Sequence, residues 1–397
     1  MKASLRFPGG LLAIAAVVCG LGCSPTASAP PAAPAAAPAA GQSAPAQSAA
    51  APAPPAASGQ SQAGPALQAL VDAARREGQL TLVWSELTLG GSEGAAHLAS
   101  GFNRLYGLNV NVQFTPGLNM AEMAPRLVLE QQAGRPATTD VYIGPARPLV
   151  TLMEADAVEP VDWTSWASNI RDPRMLAPNG AGVEAAPFLV GITYHSGKLT
   201  GSAVPTSMED LLKPEFKGRI ASTPYAANFD YLASPALWGE RRTLDYVTRF
   251  ADQVSGLIRC GEGDRLVTGE FDVFAIDCGT WEALRLQAKG APVAQVVPRD
   301  AALMFYWYLA VPRNAAHPAA AKLFINYLLG REGQDYVYET HFADHPLVSG
   351  SKTVADIEKA RATGAQITTI DVAFYQRSEN KDLDRIAAEV VRILQQR

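Results

Sequence analysis

Gly90-Gly91-Ser92-Glu93-Gly94 follows an apolar run and opens a helical one. In that arrangement the backbone N–H groups of a helix start can receive an anion. The spacing is neither a Walker loop nor a dinucleotide fingerprint, and glycines serving a tight turn account for it equally well. Ser85 and Glu86 lie just before it, at the carboxyl end of the run Leu80-Thr81-Leu82-Val83-Trp84. Gly144-Pro145-Ala146-Arg147 ends a second run, Asp140-Val141-Tyr142-Ile143, in an equivalent place. The Arg147 fork suits a carboxylate or phosphate, although a solvated arginine is the plainer account. Of five histidines, His97, His195 and His317 stand alone. His341 and His345 have the i, i+4 spacing of a metal pair, but Pro346 follows and no Glu intervenes, so a surface loop is expected and no metal site. There is no Gly-x-Ser-x-Gly elbow, and Glu209-Asp210 fits a helix start better than an acid/base dyad. Catalysis has little support, and no cofactor is expected.

The remaining chemistry lies in cysteines and in the amino terminus. Lys2 and Arg6 precede an apolar core, Leu11 to Val18, that is too short to span a bilayer comfortably. Gly20-Leu21-Gly22-Cys23 then resembles a lipoprotein processing site, with Cys23 as the lipidated residue, although Leu21 stands two positions before the cysteine where three is preferred. An ordinary signal peptide cut further on is the alternative. Residues 24–64 are almost entirely Ala, Pro, Ser, Gly and Gln. They offer nothing large to bury against the entropy of ordering, so an extended, disordered tether is expected. In the exported body Cys260 and Cys278, 18 residues apart, invite one disulfide. Closing such a loop is worth roughly 3 kcal/mol in the simple entropy model. A metal pair is the alternative, with no Cys-x-x-Cys or histidine cluster nearby to favour it. A formal net charge of −5 without a basic block argues against nucleic acid.

The elements that must position these residues alternate. Helical spacing over 66–77 stops at Gly78, and strand 80–84 follows. Then come helix 95–105, strand 109–114, helix 120–132 and strand 140–143, a βαβαβ pattern. It implies an α/β fold with doubly wound, mostly parallel sheets that bind ligands at the carboxyl ends of their strands. Phe188 to Tyr194 reads as one buried strand. A short helix with N-cap candidates Thr206 and Ser207 follows Pro205, and Pro214 stops it. Later come strand 219–221, helices 231–238 and 243–252, and strand 271–276. Helix 281–289, strands 293–297 and 304–311, and helices 315–329, 332–339 and 382–395 complete the reading.

The segment from Phe188 to Thr223, with the words GITYHSGKL, VPTSMEDLL and PEFKGRIA, closely resembles the extracellular solute-binding proteins of ABC importers, with the ferric-ion binders as the nearest group. FINYLLGREGQ, from Phe324, resembles the same family. The likeness covers roughly residues 66–345 and implies the two-lobed type 2 periplasmic-binding fold. On that basis lobe I is expected over 65–189 and 304–348, and lobe II over 190–303 and 349–397. In the ferric-ion binders an Asn-Tyr-Tyr-Trp sequence holds iron, and aligning on Trp281 puts Gly279 and Thr280 where those tyrosines stand. Gly and Thr do not supply the hard anionic oxygens that bare Fe(III) needs. Tyr194, Tyr225 and Tyr306 are the available substitutes, and each reads more simply as an aromatic in a strand or cleft wall.

The resemblance thus implies a monomeric, membrane-anchored periplasmic or cell-surface receptor. It would capture a small anionic or chelated solute and deliver it to an ABC permease. A ferric-ion receptor, a secreted enzyme and a sensor receptor on the same fold are the alternatives. The expected contacts are Ser85, Glu86, Gly91, Ser92, Gly144, Arg147, Tyr194, Tyr225, Asp277, Gly279, Thr280 and Tyr306. Changing Cys23 to Ser is expected to release the protein from membranes or stall its processing. Membrane fractionation checks this, and unchanged association of a normally processed variant would refute the anchor.

Overall fold

The computed structural model describes residues 64–117, 120–226 and 228–396. The leader over residues 1–23 with Cys23, and all of the tether but its last residue, lie outside the described residues. Eleven strands carry the described architecture: β1 (Gln79–Trp84), β2 (Asn111–Pro116), β3 (Tyr142–Pro145), β4 (Val183–Leu189), β5 (Ile192–His195), β6 (Ile220–Ser222), β7 (Val254–Leu257), β8 (Val273–Phe274), β9 (Val293–Val296), β10 (Leu303–Ala310) and β11 (Thr368–Ile370).

The first helix, Pro65–Glu77, ends because Gly78 takes a left-handed conformation and returns its N–H to Ala74 O. β1 follows with Leu80, Leu82 and Trp84 buried and pairs in parallel with β2. Asp140 ties β1 to the segment entering β3. Its N–H donates to Thr81 O, and its buried carboxylate accepts from Thr81 N–H, His317 N–H and the His317 ring. Glu77 caps the helix Pro318–Leu328 by accepting from Ala319 and Ala320 N–H at 3.0 and 2.8 Å, a carboxylate at a helix N-terminus. β10 is antiparallel to β4 along one edge. Its other edge pairs with β3 over Trp307–Ala310 and with β11 over Leu303–Phe305. A second sheet runs β7-β6-β8-β5-β9. The β10 sheet and the five-stranded sheet are mixed, the β1-β2 pair forms a separate parallel sheet, and every antiparallel pair contains β5 or β10.

The buried apolar residues divide accordingly. Leu80, Phe102, Leu149, Leu189 and Phe324 belong to one core, and Val190, Ile192, Phe229, Phe250 and Val390 to another. The boundary thus falls at the Leu189–Val190 peptide. Along β6 and β8, Ile220 and Val273 face the second core, while their neighbours Ala221 and Phe274 face a smaller cluster on the sheet's other side, as strand alternation requires. After β11 the helix Leu383–Gln395 packs on the second core through Leu383, Ile386, Val390 and Leu394. The helix Thr353–Ala362 instead gives Ile357 and Ala360 to the first.

Several elements differ from the sequence reading. The run Phe188–Tyr194 is two strands, broken at Val190 and Gly191. The helix after Pro205 is a 3-10 turn, Glu209–Leu212, entered through a reciprocal box. In it Asp210 N–H donates to Ser207 Oγ, and the Asp210 carboxylate accepts from Ser207 N–H. The helix expected over 231–238 is the single turn Phe229–Leu232. His341 and His345 are not in a surface loop, being 2% and 1% exposed.

The break at Gly191 has a definite cause in Asp277, which is 1% exposed. Its Oδ1 accepts from Gly191 and Gly279 N–H at 2.8 and 3.0 Å, and its Oδ2 accepts from the Thr193 hydroxyl at 2.8 Å. Asp277 N–H donates in return to Gly191 O, and Thr280 N–H donates to Leu189 O. Both strands at the crossing are therefore fastened to one turn. Burial pushes the Asp277 carboxyl up to about 6, against the pull of the Gly191, Thr193 and Gly279 bonds.

Asp277→Ala strands two buried backbone N–H groups and is expected to cost about 2–4 kcal/mol. Asp277→Asn keeps the acceptor and can donate to Thr193, so it is expected to cost far less. A folded-state value above the unfolded one means the native state binds the extra proton. This group's contribution to stability therefore falls as pH rises from about 4 to 6 and is level above that. Urea unfolding at several pH values should show that slope in the wild type and lose it in Asp277→Asn.

Candidate functional site

The carboxyl ends of β1, β3, β6 and β8 carry the residues expected to meet a ligand, and the structure shows most of their polar groups already engaged. In the first lobe, Ser85 Oγ lies 2.9 Å from Thr88 Oγ1. The anion seat at the start of the helix Gly91–Tyr106 is occupied by the chain itself. Glu86 accepts from Ser92 N–H at 3.0 Å and from the Ser92 hydroxyl at 3.3 Å. The glycines around it are needed sterically. Gly91 has φ +59, and a Cβ on Gly94 would stand 1.7 Å from Leu89 O. Gly144 lies within β3, paired with Tyr308, and a Cβ there would meet Tyr142 Oη at 2.2 Å.

In the second lobe a bonded turn faces these loops. Cys260 and Cys278 form a disulfide with Cα atoms 5.8 Å apart. Glu282 accepts from Gly261 and Gly263 N–H at 3.0 and 2.8 Å, so the loop carrying Cys260 is held twice. Tyr225 Oη accepts from Cys260 N–H at 2.7 Å, and burial raises its hydroxyl. Asn228 donates to Asp277 O at 3.1 Å. Across the gap, exposed Leu87 of the first lobe approaches Gly261, where an added Cβ would meet Leu87 Cδ1 at 3.0 Å.

Gly279 has φ +107, donates to Asp277 and faces Phe188 and Trp281. There an aromatic cluster forms that no local sequence signal announced. Phe188 packs on Phe305 and Trp307 with centroids 5.5 and 4.6 Å apart, and His341 lies 4.8 Å from Trp307 and 5.6 Å from Trp281. Burial holds the His341 imidazole down to about 4, against a bond with the Leu87 backbone. On the other side of the same strands, Leu189 lines a cavity of about 590 Å3 with Tyr194, Thr280, Val296, Lys359 and Ala360. The volume lies within the usual range for small-molecule pockets. Tyr306 is 9% exposed beside His345, and burial with the charges of Glu184 and Asp371 raises its hydroxyl well above the ordinary value.

Arg147, expected to reach a ligand, reaches across to the second lobe. Its Nη2 pairs with buried Asp230, its Nε lies 3.2 Å from Asp384 Oδ1, and its guanidinium stands over the Tyr231 and Tyr375 rings at 5.6 and 5.4 Å. Burial pushes the Asp230 carboxyl up while Arg147 draws it down. None of these partners was singled out in the sequence. Tyr231, Tyr375 and Asp384 are brought together by tertiary packing alone. The expected residues therefore fall in five places: the Ser85–Ser92 loop, the Asp277–Thr280 turn with Tyr225, the cavity with Tyr194 and Thr280, the Gly144–Arg147 segment, and Tyr306 beside His345.

Two lobes joined by a pinned crossing is the architecture of a binding protein, and a family model decides its class. The model for bacterial extracellular solute-binding proteins matches residues 97–365, more than half of the chain. The chain belongs to that family. Among curated relatives, the Fe(3+)-binding periplasmic protein of Serratia marcescens is 21% identical over 271 residues, covering 63% of this chain and 77% of its own length. Among solved structures, the substrate-binding protein of an ABC transporter from Agrobacterium tumefaciens is 18% identical with a TM-score of 0.62, over 79% of this chain and 95% of its own. AgtB of Agrobacterium tumefaciens, in complex with agropinic acid, is 21% identical with a TM-score of 0.62, over 80% and 99%. These likenesses show the type 2 periplasmic-binding fold for this solute-binding protein. No helix of the described residues is long and apolar enough to cross a membrane.

The Cys260–Cys278 bridge lies in the turn that faces the cleft. Thiol labelling of denatured, unreduced protein is expected to find both cysteines blocked. Reduction before native proteolysis is expected to expose cleavage within residues 258–263 first, and mass spectrometry reads both.

Proposed function

We propose that this solute-binding protein is a monomeric receptor for an ABC importer, anchored outside the cytoplasm through Cys23 on its tether. Its lobes, 65–189 with 304–348 and 190–303 with 349–397 except for the helix Thr353–Ala362, which packs on the first core, would close around one small solute and present it to the permease. The observation that carries this reading is the crossing at Leu189–Val190 between two separate cores, pinned by Asp277. It allows the lobes to move as bodies about a short fixed segment.

For the solute we propose an anionic or chelated small molecule in preference to bare ferric ion. A carboxylate, that of Glu86, already sits on the Ser92 N–H, and the anionic group of a ligand would take its place. Two of the three substitute tyrosines are poorly suited to iron. Gly279 and Thr280 stand at the paired positions, Tyr225 Oη is committed to Cys260, and burial disfavours the Tyr306 phenolate. Hard oxygen anions are what Fe(III) requires. Iron is in the name of the Serratia marcescens relative, whereas an organic acid occupies the Agrobacterium tumefaciens AgtB structure.

Calorimetric titration with ferric chloride and with a panel of organic carboxylates tests this. Saturable binding of a carboxylate, tightened in Glu86→Gln because the competing charge is gone, is the expected result. Tight ferric binding without a chelator, accompanied by a tyrosinate-to-iron visible band, would overturn it.

A further inference from the structure

Arg147 lies in the first turn of the helix Ala146–Glu154, whose Ala146, Leu149 and Leu152 belong to the first core. Its side chain meets Asp230, Tyr231 and Asp384 of the other side, and Tyr375, which packs against both cores. Asp230 sits between Phe229 and Leu232 of the second core, with a side chain 3% exposed. Among the described residues Arg147 is its only ion-pair partner. Asp384 opens the helix Leu383–Gln395, packed on that core. The rings of Tyr231 and Tyr375 stand edge to face, 5.8 Å apart, and both lie under the guanidinium. Two carboxylates and two aromatic faces around one planar cation make a recognition site for a guanidinium, which stacks on rings and bonds carboxylates at once. A buried carboxylate left without that partner is costly, so the second lobe holds the first wherever Arg147 is seated.

We propose that Asp230, Tyr231 and Asp384 of the second lobe, with Tyr375 at the seam between the cores, form a guanidinium site that is filled by Arg147 of the first lobe to hold the lobes together, and is open to a soluble alkylguanidinium when Arg147 is absent. The inference rests on the two-lobed receptor reading but not on the identity of the transported solute. Ligands carrying a guanidinium or similar planar cation are the class this site takes, and they compete with closure.

Chemical rescue tests it. Arg147→Ala removes the fork and leaves its seat. Millimolar ethylguanidinium chloride is expected to raise the melting temperature of this variant saturably, as a ligand specific to the native state does. It is expected to leave the wild type unchanged. Ethylammonium, with no fork and no planar face, should have a much smaller effect, and Arg147→Ala combined with Asp230→Asn should not respond. No rise in Arg147→Ala, or an equal rise in wild type or the double variant, would overturn the proposal. If Arg147→Ala does not fold alone, refolding it with ethylguanidinium replaces the melt. Recovery with that cation and not with ethylammonium supports the site, and no recovery overturns it. Solute binding is measured separately by the carboxylate titration, so failure of rescue leaves the transport reading standing and failure of that titration leaves this one.

Discussion

One buried carboxylate sets the relation between the two halves of this molecule. Asp277 gathers Gly191 N–H, Gly279 N–H and the Thr193 hydroxyl, so the segment leaving the first core and the turn facing the cleft are fixed to each other. Burying an aspartate is costly unless its lone pairs are satisfied, and here three donors satisfy them. The result is a strand that stops, changes partners and starts again in another sheet within two residues. β10 repeats the division on the return, giving one part of its edge to β3 and another to β11. Rigid bodies with a short, fully bonded crossing are what hinge closure needs.

The cleft side of this arrangement has filled its own recognition groups. Glu86 lies on the Ser92 N–H, and Asp230 holds the Arg147 fork. The two contacts differ in strength. Glu86 is exposed and can be displaced at small cost, because water replaces an exposed hydrogen bond. Asp230 is buried among apolar side chains and cannot be left bare cheaply. A solute entering the cleft would therefore exchange first with Glu86, while the Arg147 contact sets how readily the lobes separate. The disulfide and the two bonds to Glu282 hold the Cys260 loop to the segment that follows Asp277.

Much of the fold was legible because its signals are local. The period of 66–77, the stop at Gly78 and the apolar and aromatic runs of β1, β6 and β10 place the elements within a few residues. The break in Phe188–Tyr194 was not, because Val190 and Gly191 look like any strand interior until a carboxylate from position 277 is brought to them. The same holds for the histidines. Pro346 after His345 suggested a surface, but Phe188, Trp281 and Trp307 bury His341, and Glu184 meets His345 at 3.4 Å. Of the site, the strand ends were predictable from topology. That Ser92 and Arg147 would be met by the chain's own acids was not, since Asp230 lies 83 residues from Arg147 and Asp384 still further.

In the proposed receptor two rigid lobes share a pinned crossing and are held together by the Arg147–Asp230 contact. Electron–electron distance measurement between spin labels tests it most directly. One pair, Leu129→Cys with Thr248→Cys, spans helices of the two lobes, and a second, Leu105→Cys with Leu129→Cys, lies within the first. Introducing Asp230→Asn should lengthen or broaden the distance between lobes and leave the distance within the first lobe unchanged. An unchanged distance between lobes, or equal changes in both pairs, would contradict the account.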